Sequence, residues 1–431
     1  MSGLIIAAPS SGAGKTTVTL ALLRLLAREG IAVRGAKSGP DYIDPRFHEA
    51  ACGAPCPNLD GWAMSDNRLA ALAVGDLAVN DGMLIIEGAM GLFDGAPPDG
   101  RGSSADLARR LHLPVVLVVD CARMSGSIAP LVAGFARFDP EVRISAVILN
   151  NIGSSRHEEM LRYALEPLKI PVLAALRRNT DLAQPSRHLG LVQAAERPDL
   201  DRFLDRAADA LATTLDRDLL AKIAWPLPAA KASSRLIPPA QVIAIAQDRA
   251  FAFSYPHILS DWRAAGAEIR PFSPLENEAV PDAGFIYLPG GYPELHAGKI
   301  AAADVFLKSM REASQYTDIY GECGGYMTLG NALIDADGHA HKMLGLLDLE
   351  TSFAAKKRHL GYRQLTPLEP SSFKMMQGPM RGHEFHYAST LRASGKPLFS
   401  ARDATGANLP DMGLRKARVC GSFAHIIDGV P

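Results

Sequence analysis

Cysteine is scarce: only Cys52, Cys56, Cys121, Cys323 and Cys420 occur in 431 residues. Five thiols cannot frame a chain of this size with disulfides, so free thiols and a cytoplasmic setting are expected. No stretch approaches the ~18 consecutive apolar residues of a membrane span. The start, Met1-Ser2-Gly3-Leu4-Ile5-Ile6-Ala7-Ala8-Pro9, has no basic segment ahead of a long apolar run, so no secretory signal is expected. Neither sign of charge is in excess, with 45 Lys+Arg against 46 Asp+Glu. A nucleic-acid binder would normally carry a basic surplus, so nucleic-acid and membrane partners are both disfavoured. Internal repeats and low-complexity tracts are missing too. What the chain does have is apolar material, 48% of residues, enough for the cores of two or three domains.

Short apolar runs alternate with helical patterns toward both ends, which predicts α/β domains built on mostly parallel sheets. The expected strands of the first part are Leu4–Ala8, Ala32–Lys37, Gly82–Glu87, Pro114–Asp120 and Ile144–Asn150, with a helix over Thr16–Glu29. Unbroken runs such as Val-Val-Leu-Val-Val-Asp fit central strands covered on both faces. Residues 225–240 hold four prolines among small residues and read as a linker. New strands follow at Val242–Gln247, Glu268–Phe272, Phe285–Pro289 and Thr317–Gly321. The expected division is a first domain over 1–224, a linker over 225–240 and a second domain over 241–431.

Residues 8–17, Ala-Pro-Ser-Ser-Gly-Ala-Gly-Lys-Thr-Thr, lie between a strand and a helix. Small residues let the backbone turn its N–H groups inward, and the helix start adds a positive dipole end. Ser11, Gly12, Gly14, Lys15, Thr16 and Thr17 are therefore the candidate ATP-binding residues. Lys15 can reach the β and γ phosphates, and the Thr16 hydroxyl can ligate Mg²⁺. Pro9 stands where the strict phosphate-loop pattern has glycine.

A loop written Ser-Ser-Gly-x-Gly-Lys-Thr resembles that of the dethiobiotin-synthetase-like ATPases. Two further segments belong with it, Lys37–His48 (KSGPDYIDPRFH) and Leu84–Gly95 (LIIEGAMGLFDG). Glu87 falls at a strand end, where a Mg²⁺-holding carboxylate sits in such enzymes. Asp41, Asp44 and Asp94 also fall at or just beyond strand ends, the edge where open α/β sheets bind ligands. Thr16, Asp41 and Glu87 are the candidate Mg²⁺ ligands. Lys37, Asp41, Tyr42, Asp44 and Asp94 are the candidate substrate and phosphorylation site.

In the second part, Thr317–Gly330 carries Gly-Glu-Cys-Gly-Gly between a β-prone run and a helical one. That is a nucleophile elbow with Cys323 in the serine position. The helix start is expected to lower the thiol pKa. Pro289-Gly290-Gly291 follows a strand, and the N–H groups of Gly291 and Gly324 could form an oxyanion hole. His425, late in the chain, is the candidate base for Cys323.

The order PGG, Gly-x-Cys-Gly-Gly, His resembles the triad, or class I, glutamine amidotransferases. Ile427 stands where that family has the glutamate of its His-x-Glu pair, which narrows the resemblance to the cobyrinic-acid-synthase subgroup. Asp428 is a weaker candidate to orient His425. With Leu288–Ala297 and Arg381–Tyr387 also present, nearly the whole chain resembles the corrin a,c-diamide synthase family, the hydrogenobyrinate branch more than the cobyrinate one. This implies an N-terminal phosphate-loop parallel-sheet domain and a C-terminal class I amidotransferase-like α/β domain. It also implies ATP with Mg²⁺, L-glutamine and a corrinoid as partners, and a possible homodimer. The implied reaction converts the c and then the a acetate to amides through an acyl phosphate, with ammonia delivered by a sheltered route. A cobyric acid synthase, acting on other corrin side chains, shares both modules. A partition-type ATPase switch would have a second signature lysine in the loop, where this chain has Ser10, and would leave Cys323 without purpose. His48, Cys52 and Cys56 read as packing rather than a zinc site, given their spacing. Cys121, Cys420, Trp62, Trp225 and Trp262 also read as packing. His383 and His386 lack the zinc-protease spacing and suit a corrin-contact or interface role.

Overall fold

The computed structural model describes residues 1–75, 82–182, 186–187, 190–230, 233, 235–369 and 376–430. Two compact units result, Met1–Ser233 and Ser234–Pro431. Residues 231, 232 and 234 of the expected linker lie outside the described residues.

The main sheet of the first unit has the order Asn58–Leu59, Val33–Ser38, Met83–Glu87, Ser2–Ala7, Val115–Asp120, Ile144–Ile152, Val172–Arg177. These strands run parallel, with Ser2–Ala7 central. Leu4, Ile5, Ile6 and Val115 to Val118 are completely buried, as an unbroken apolar run covered on both faces requires. The helix Lys15–Arg28 buries Leu20, Leu22, Leu23, Leu25 and Leu26, its apolar stripe, and packs on Leu200–Ala212. All parallel strands end at one edge, so the loops 8–14, 39–43 and 88–94 gather there. Trp225–Pro226 adds an antiparallel pair at Gly3 and Ser2, so the start of the expected linker is tied into the sheet. Trp225 is 45% exposed, against the expectation of packing, with Arg143 4.3 Å above its ring, whereas Trp62 and Trp262 are buried.

The second unit holds a six-stranded sheet, Glu268–Phe272, Val242–Ala246, Phe285–Leu288, Asp318–Glu322, Val419–Ser422, Leu414–Lys416. The first five are parallel and the last is antiparallel. Two further sheets, drawn from the chain after Glu322, are not announced by periodicity. One has four strands, Ala340–Lys342, Ala332–Ile334, Asp348–Ser352 and Ser389–Ser394. The other is antiparallel, in the order Asn408–Met412, Phe399–Arg402, His359–Pro367, Met380–His386, Ala424–Gly429. Thus the chain leaves the parallel sheet at Ser422 and joins the antiparallel one at Ala424, one residue before His425. Among the described residues no helix is long and apolar enough to cross a membrane.

Candidate active sites

The first cluster forms where Ser2–Ala7 runs into the helix at Lys15. Gly12 and Gly14 have φ of 82° and 92°, a region glycine enters without strain. Asn150 fastens the turn by donating to the Ala13 carbonyl at 2.9 Å. Its side chain leaves no room for a Cβ at Gly14, which would lie 2.2 Å from Nδ2. Ser11 and Gly12 are exposed on the open side, and Thr17 is half-buried. Lys15 Nζ donates to the carbonyls of Met90 (2.5 Å) and Ser10 (3.4 Å). Burial, reinforced by Lys37, pulls the Lys15 ammonium below the usual lysine value.

Thr16 Oγ1 donates to Glu87 Oε1 at 2.6 Å, so two of the candidate Mg²⁺ ligands converge. Lys37 Nζ donates to the same Oε1 at 2.9 Å and to Asp44 Oδ2 at 2.6 Å, and lies 3.9 Å from Asp41 Oδ2. Asp41 Oδ1 accepts the N–H groups of Ile43 and Asp44, and Tyr42, within that turn, is half-buried. Three carboxylates thus surround one buried ammonium. Burial works to raise the Glu87 pKa, but Lys37, His48 and Thr16 hold it well below the usual carboxylate range. Burial and Asp41 push Asp44 up to about 7 against the pull of Lys37. Hard oxygen donors carrying surplus negative charge are the donor set that suits Mg²⁺. Asp94 closes its own turn, accepting from the Gly91 N–H at 2.9 Å, and its charge reaches Lys15.

Sequence reasoning missed His48 here. The fully buried ring contacts Glu87 Oε2 through Nε2 at 2.6 Å and Cys56 Sγ through Nδ1 at 3.3 Å. Nε2 therefore holds the carboxylate, while the contact of Nδ1 with Cys56 fixes the ring. Its spacing from the two cysteines pointed elsewhere, and nothing local announced Glu87, 39 residues on.

The second cluster forms at the end of Asp318–Glu322. Cys323 has φ 47° and ψ −101°, a strained turn that sends the chain directly into the helix Gly324–Leu329. Its N–H donates to Ser422 O at 2.8 Å, and Gly325 N–H to Pro289 O at 3.1 Å, which ties the elbow to both flanking loops. A Cβ on Gly325 would lie 1.9 Å from Leu288 O, so only glycine allows this approach. A Cβ built on Gly324 would lie 3.0 Å from the Gly291 nitrogen, which places the two candidate oxyanion amides side by side. One built on Gly290 would lie 2.9 Å from His425 Nε2 and 3.3 Å from Cys323 Cβ. The side chains of Cys323 and His425 therefore border the same point above Gly290, though they lie 102 positions apart in the chain.

The expected lowering of the thiol pKa does not occur. Burial pushes Cys323 up, and Glu294 adds to the rise, while the Gly324 N–H opposes it. A thiol 3% exposed has lost more hydration than one short helix restores, so it needs a base. Asp428 stands in register with Arg381. The carboxylate that faces His425 is Glu322, with Oε2 3.5 Å from Nδ1. The family pattern directs attention downstream of the histidine, so this upstream glutamate went unnoticed.

His383 pairs in register with His425 on the adjacent strand. Beside it Glu384 accepts from Arg363 at 2.8 Å and contacts His386 Nε2 at 2.9 Å, and His386 stacks on Phe423 at 3.9 Å. This segment braces the second cluster. Burial, with His425 adding, holds the His383 pKa down at about 3. The unfolded chain takes up a proton below the ordinary value of 6.5 while folded His383 stays neutral. Stability is therefore full above pH ~6.5 and falls as the pH drops toward 3, by about 2 kcal/mol at pH 5. Thermal melts of the intact chain between pH 7 and 5 should show this slope, and His383→Asn should flatten it.

A phosphate-binding loop in one unit and a strained cysteine beside a histidine in the other are the marks of a glutamine amidotransferase that works with a nucleotide. Residues 242–429 match the CobB/CobQ-like glutamine amidotransferase domain, and residues 4–192 match the CobQ/CobB/MinD/ParA nucleotide binding domain. Full-length relatives narrow the class. The hydrogenobyrinate a,c-diamide synthase of Brucella anthropi is 56% identical, with 99% of each chain covered. Those of Rhizobium meliloti (52%, 99% of each chain) and Mesorhizobium japonicum (50%, 98% of each) agree. The chain belongs to the hydrogenobyrinate a,c-diamide synthase family.

Proposed function

We propose that this chain converts the c and then the a acetate carboxylates of hydrogenobyrinic acid to amides, using ATP and glutamine. The observation that carries the proposal is the pairing, in one chain, of the Lys15–Thr16–Glu87 cluster with the Cys323–His425 cluster. Residues 1–224 are assigned to carboxylate activation, 225–240 to the connection and 241–431 to ammonia release. A carboxylate does not react with ammonia directly, because its oxygen is a poor leaving group. In the first step a carboxylate oxygen attacks the γ-phosphorus, the bond to the β-bridging oxygen breaks, and ADP leaves. Ammonia then attacks the acyl carbon and phosphate departs.

Ser11, Gly12, Gly14, Lys15, Thr16 and Thr17 cradle the phosphates, and Lys15 meets the charge that develops on the transferred group. Thr16, Asp41 and Glu87 would hold Mg²⁺, which supplies charge neutralisation between phosphates. Lys37, Tyr42, Asp44 and Asp94 border the acceptor carboxylate. In the second cluster Cys323 attacks the side-chain carbonyl of glutamine while His425 takes the thiol proton. The Gly291 and Gly324 amides stabilise the oxyanion. His425 returns the proton to the departing ammonia, and water then frees glutamate from the thioester.

The reading extends to assembly and location. The helix Ile128–Phe138 is almost wholly apolar yet buries only Ile128 and Val132, and Phe138 is 74% exposed. Phe93 covers Phe135 and Phe138 only in part, and the apolar surface left over supports a homodimer. Free cysteines support a cytoplasmic setting. Incubation with hydrogenobyrinic acid, ATP and glutamine, followed by mass measurement, should show two added amides. Four amides on a preformed a,c-diamide would instead indicate the cobyric acid synthase reaction.

A further inference from the structure

We infer that Glu322 is the positioning carboxylate of the Cys323–His425 pair, the part supplied by His-x-Glu in the triad amidotransferases. The inference rests on the glutaminase reading above and adds a residue to it.

Three observations carry the assignment. The first is placement. Glu322 is the last residue of the strand Asp318–Glu322 and directly precedes the nucleophile, so one strand end delivers both groups. Its Oε2 lies 3.5 Å from His425 Nδ1. The second is the way the carboxylate is held. Tyr287 Oη donates to Oε2 at 2.6 Å, and the Ile426 N–H, next to His425, donates to Oε1 at 3.0 Å. Glu322 and His425 are each only 1% exposed. A buried carboxylate is retained only where donors satisfy it, and these donors fix it toward the imidazole. The third is the orientation of the ring. Nδ1 faces Glu322, while Nε2 borders the point above Gly290 that Cys323 also borders.

The chemistry follows from those two directions. At 3.5 Å the two groups are in charge contact, and a carboxylate that closes on Nδ1–H selects the tautomer whose lone pair is on Nε2, the nitrogen on the Cys323 side. As the thiol proton moves to Nε2, the Nδ1–H bond gains charge and the carboxylate stabilises the imidazolium. The departure of this chain from the triad pattern at Ile427 is thereby compensated from a different strand. Tyr287 tunes the same group by sharing Oε2.

The test uses the full chain. Glu322→Gln keeps size and polarity but presents an amide to Nδ1. Glutamine-driven kcat should fall by roughly 10²–10⁴-fold with the glutamine KM nearly unchanged, and ammonia-driven amidation should remain. Glu322→Asp should recover part of the loss. The pH profile of Cys323 alkylation by iodoacetamide supplies the readout that a merely structural role would not move. Its acid limb should shift to lower pH in Glu322→Gln, because the imidazolium has lost its partner. Should that variant fail to fold, ¹⁵N NMR of histidine-labelled parent protein decides: neutral His425 should carry its proton on Nδ1. An unchanged glutaminase rate, an unmoved acid limb, or an Nε2–H tautomer in the parent would overturn the assignment. If Cys323→Ser kept glutamine-driven turnover, the glutaminase reading itself would fail. If Cys323→Ser lost it and Glu322→Gln kept it, only the role of Glu322 would fall.

Discussion

Replacing Cys323 with serine is expected to reduce glutamine-driven amidation by roughly 10⁴-fold or more while ammonia-driven amidation stays at the parent rate. Serine can occupy the same backbone turn, and its hydroxyl is smaller than the thiol, so the elbow should survive. What changes is reactivity. The Cys323 thiol is already pushed up by burial, and an alcohol in the same dry position is a still weaker acid. His425 could not generate enough nucleophile from it. Ammonia added directly bypasses this step and enters at the acyl phosphate. Parallel assays with saturating glutamine and with ammonium chloride at pH 8.5 measure the split.

The opposite pattern is expected when the first cluster is damaged. Lys15→Ala should lower amidation roughly 10²–10³-fold with either nitrogen source, while glutamate release by Cys323 continues. Lys15 is held by the carbonyls of Ser10 and Met90, so its ammonium is already oriented before a nucleotide binds. Glu87→Gln should do at least as much harm. It would leave Lys37, buried among Asp41, Asp44 and Glu87, without one of its partners, and would weaken the bonds from Thr16 and His48. Losing one partner of a buried pair costs about 3–5 kcal/mol, so this variant should also melt earlier. Amide formation by mass, with both nitrogen sources, separates these variants from Cys323→Ser.

The central parallel strands were legible because they bury both faces and so read as unbroken apolar runs, as in Ser2–Ala7 and Val115–Asp120. The strand expected at Pro114–Asp120 occupies Val115–Asp120, and Glu268–Phe272 agrees at both ends. The antiparallel sheets of the second unit left no such trace. Most of Ser389–Ser394 is exposed, and most of His359–Pro367 is half-buried, so neither shows a clean alternation. Their pairing is set by register across the fold, as in His383 opposite His425. The same distinction applies to the site residues. Lys15, Thr16 and Cys323 are announced by glycines that the local turn demands. His48, Asn150 and Glu322 join the two clusters only because folding brings them to Glu87, Ala13 and His425, and no local pattern encodes that. The lowered thiol pKa failed as an expectation for a related reason: helix position can be read locally, whereas burial cannot.

The most direct measurement follows the carboxylate oxygen. Hydrogenobyrinic acid labelled with ¹⁸O in its acetate carboxyls would be incubated with ATP, ammonium and the Cys323→Ser chain, and the released phosphate analysed by mass. An activated acid must give one ¹⁸O to phosphate for every amide formed, with no contribution from the thiol. Unlabelled phosphate alongside normal amide formation, or failure of the serine variant to make amide from ammonium, would contradict the separation of activation from ammonia release.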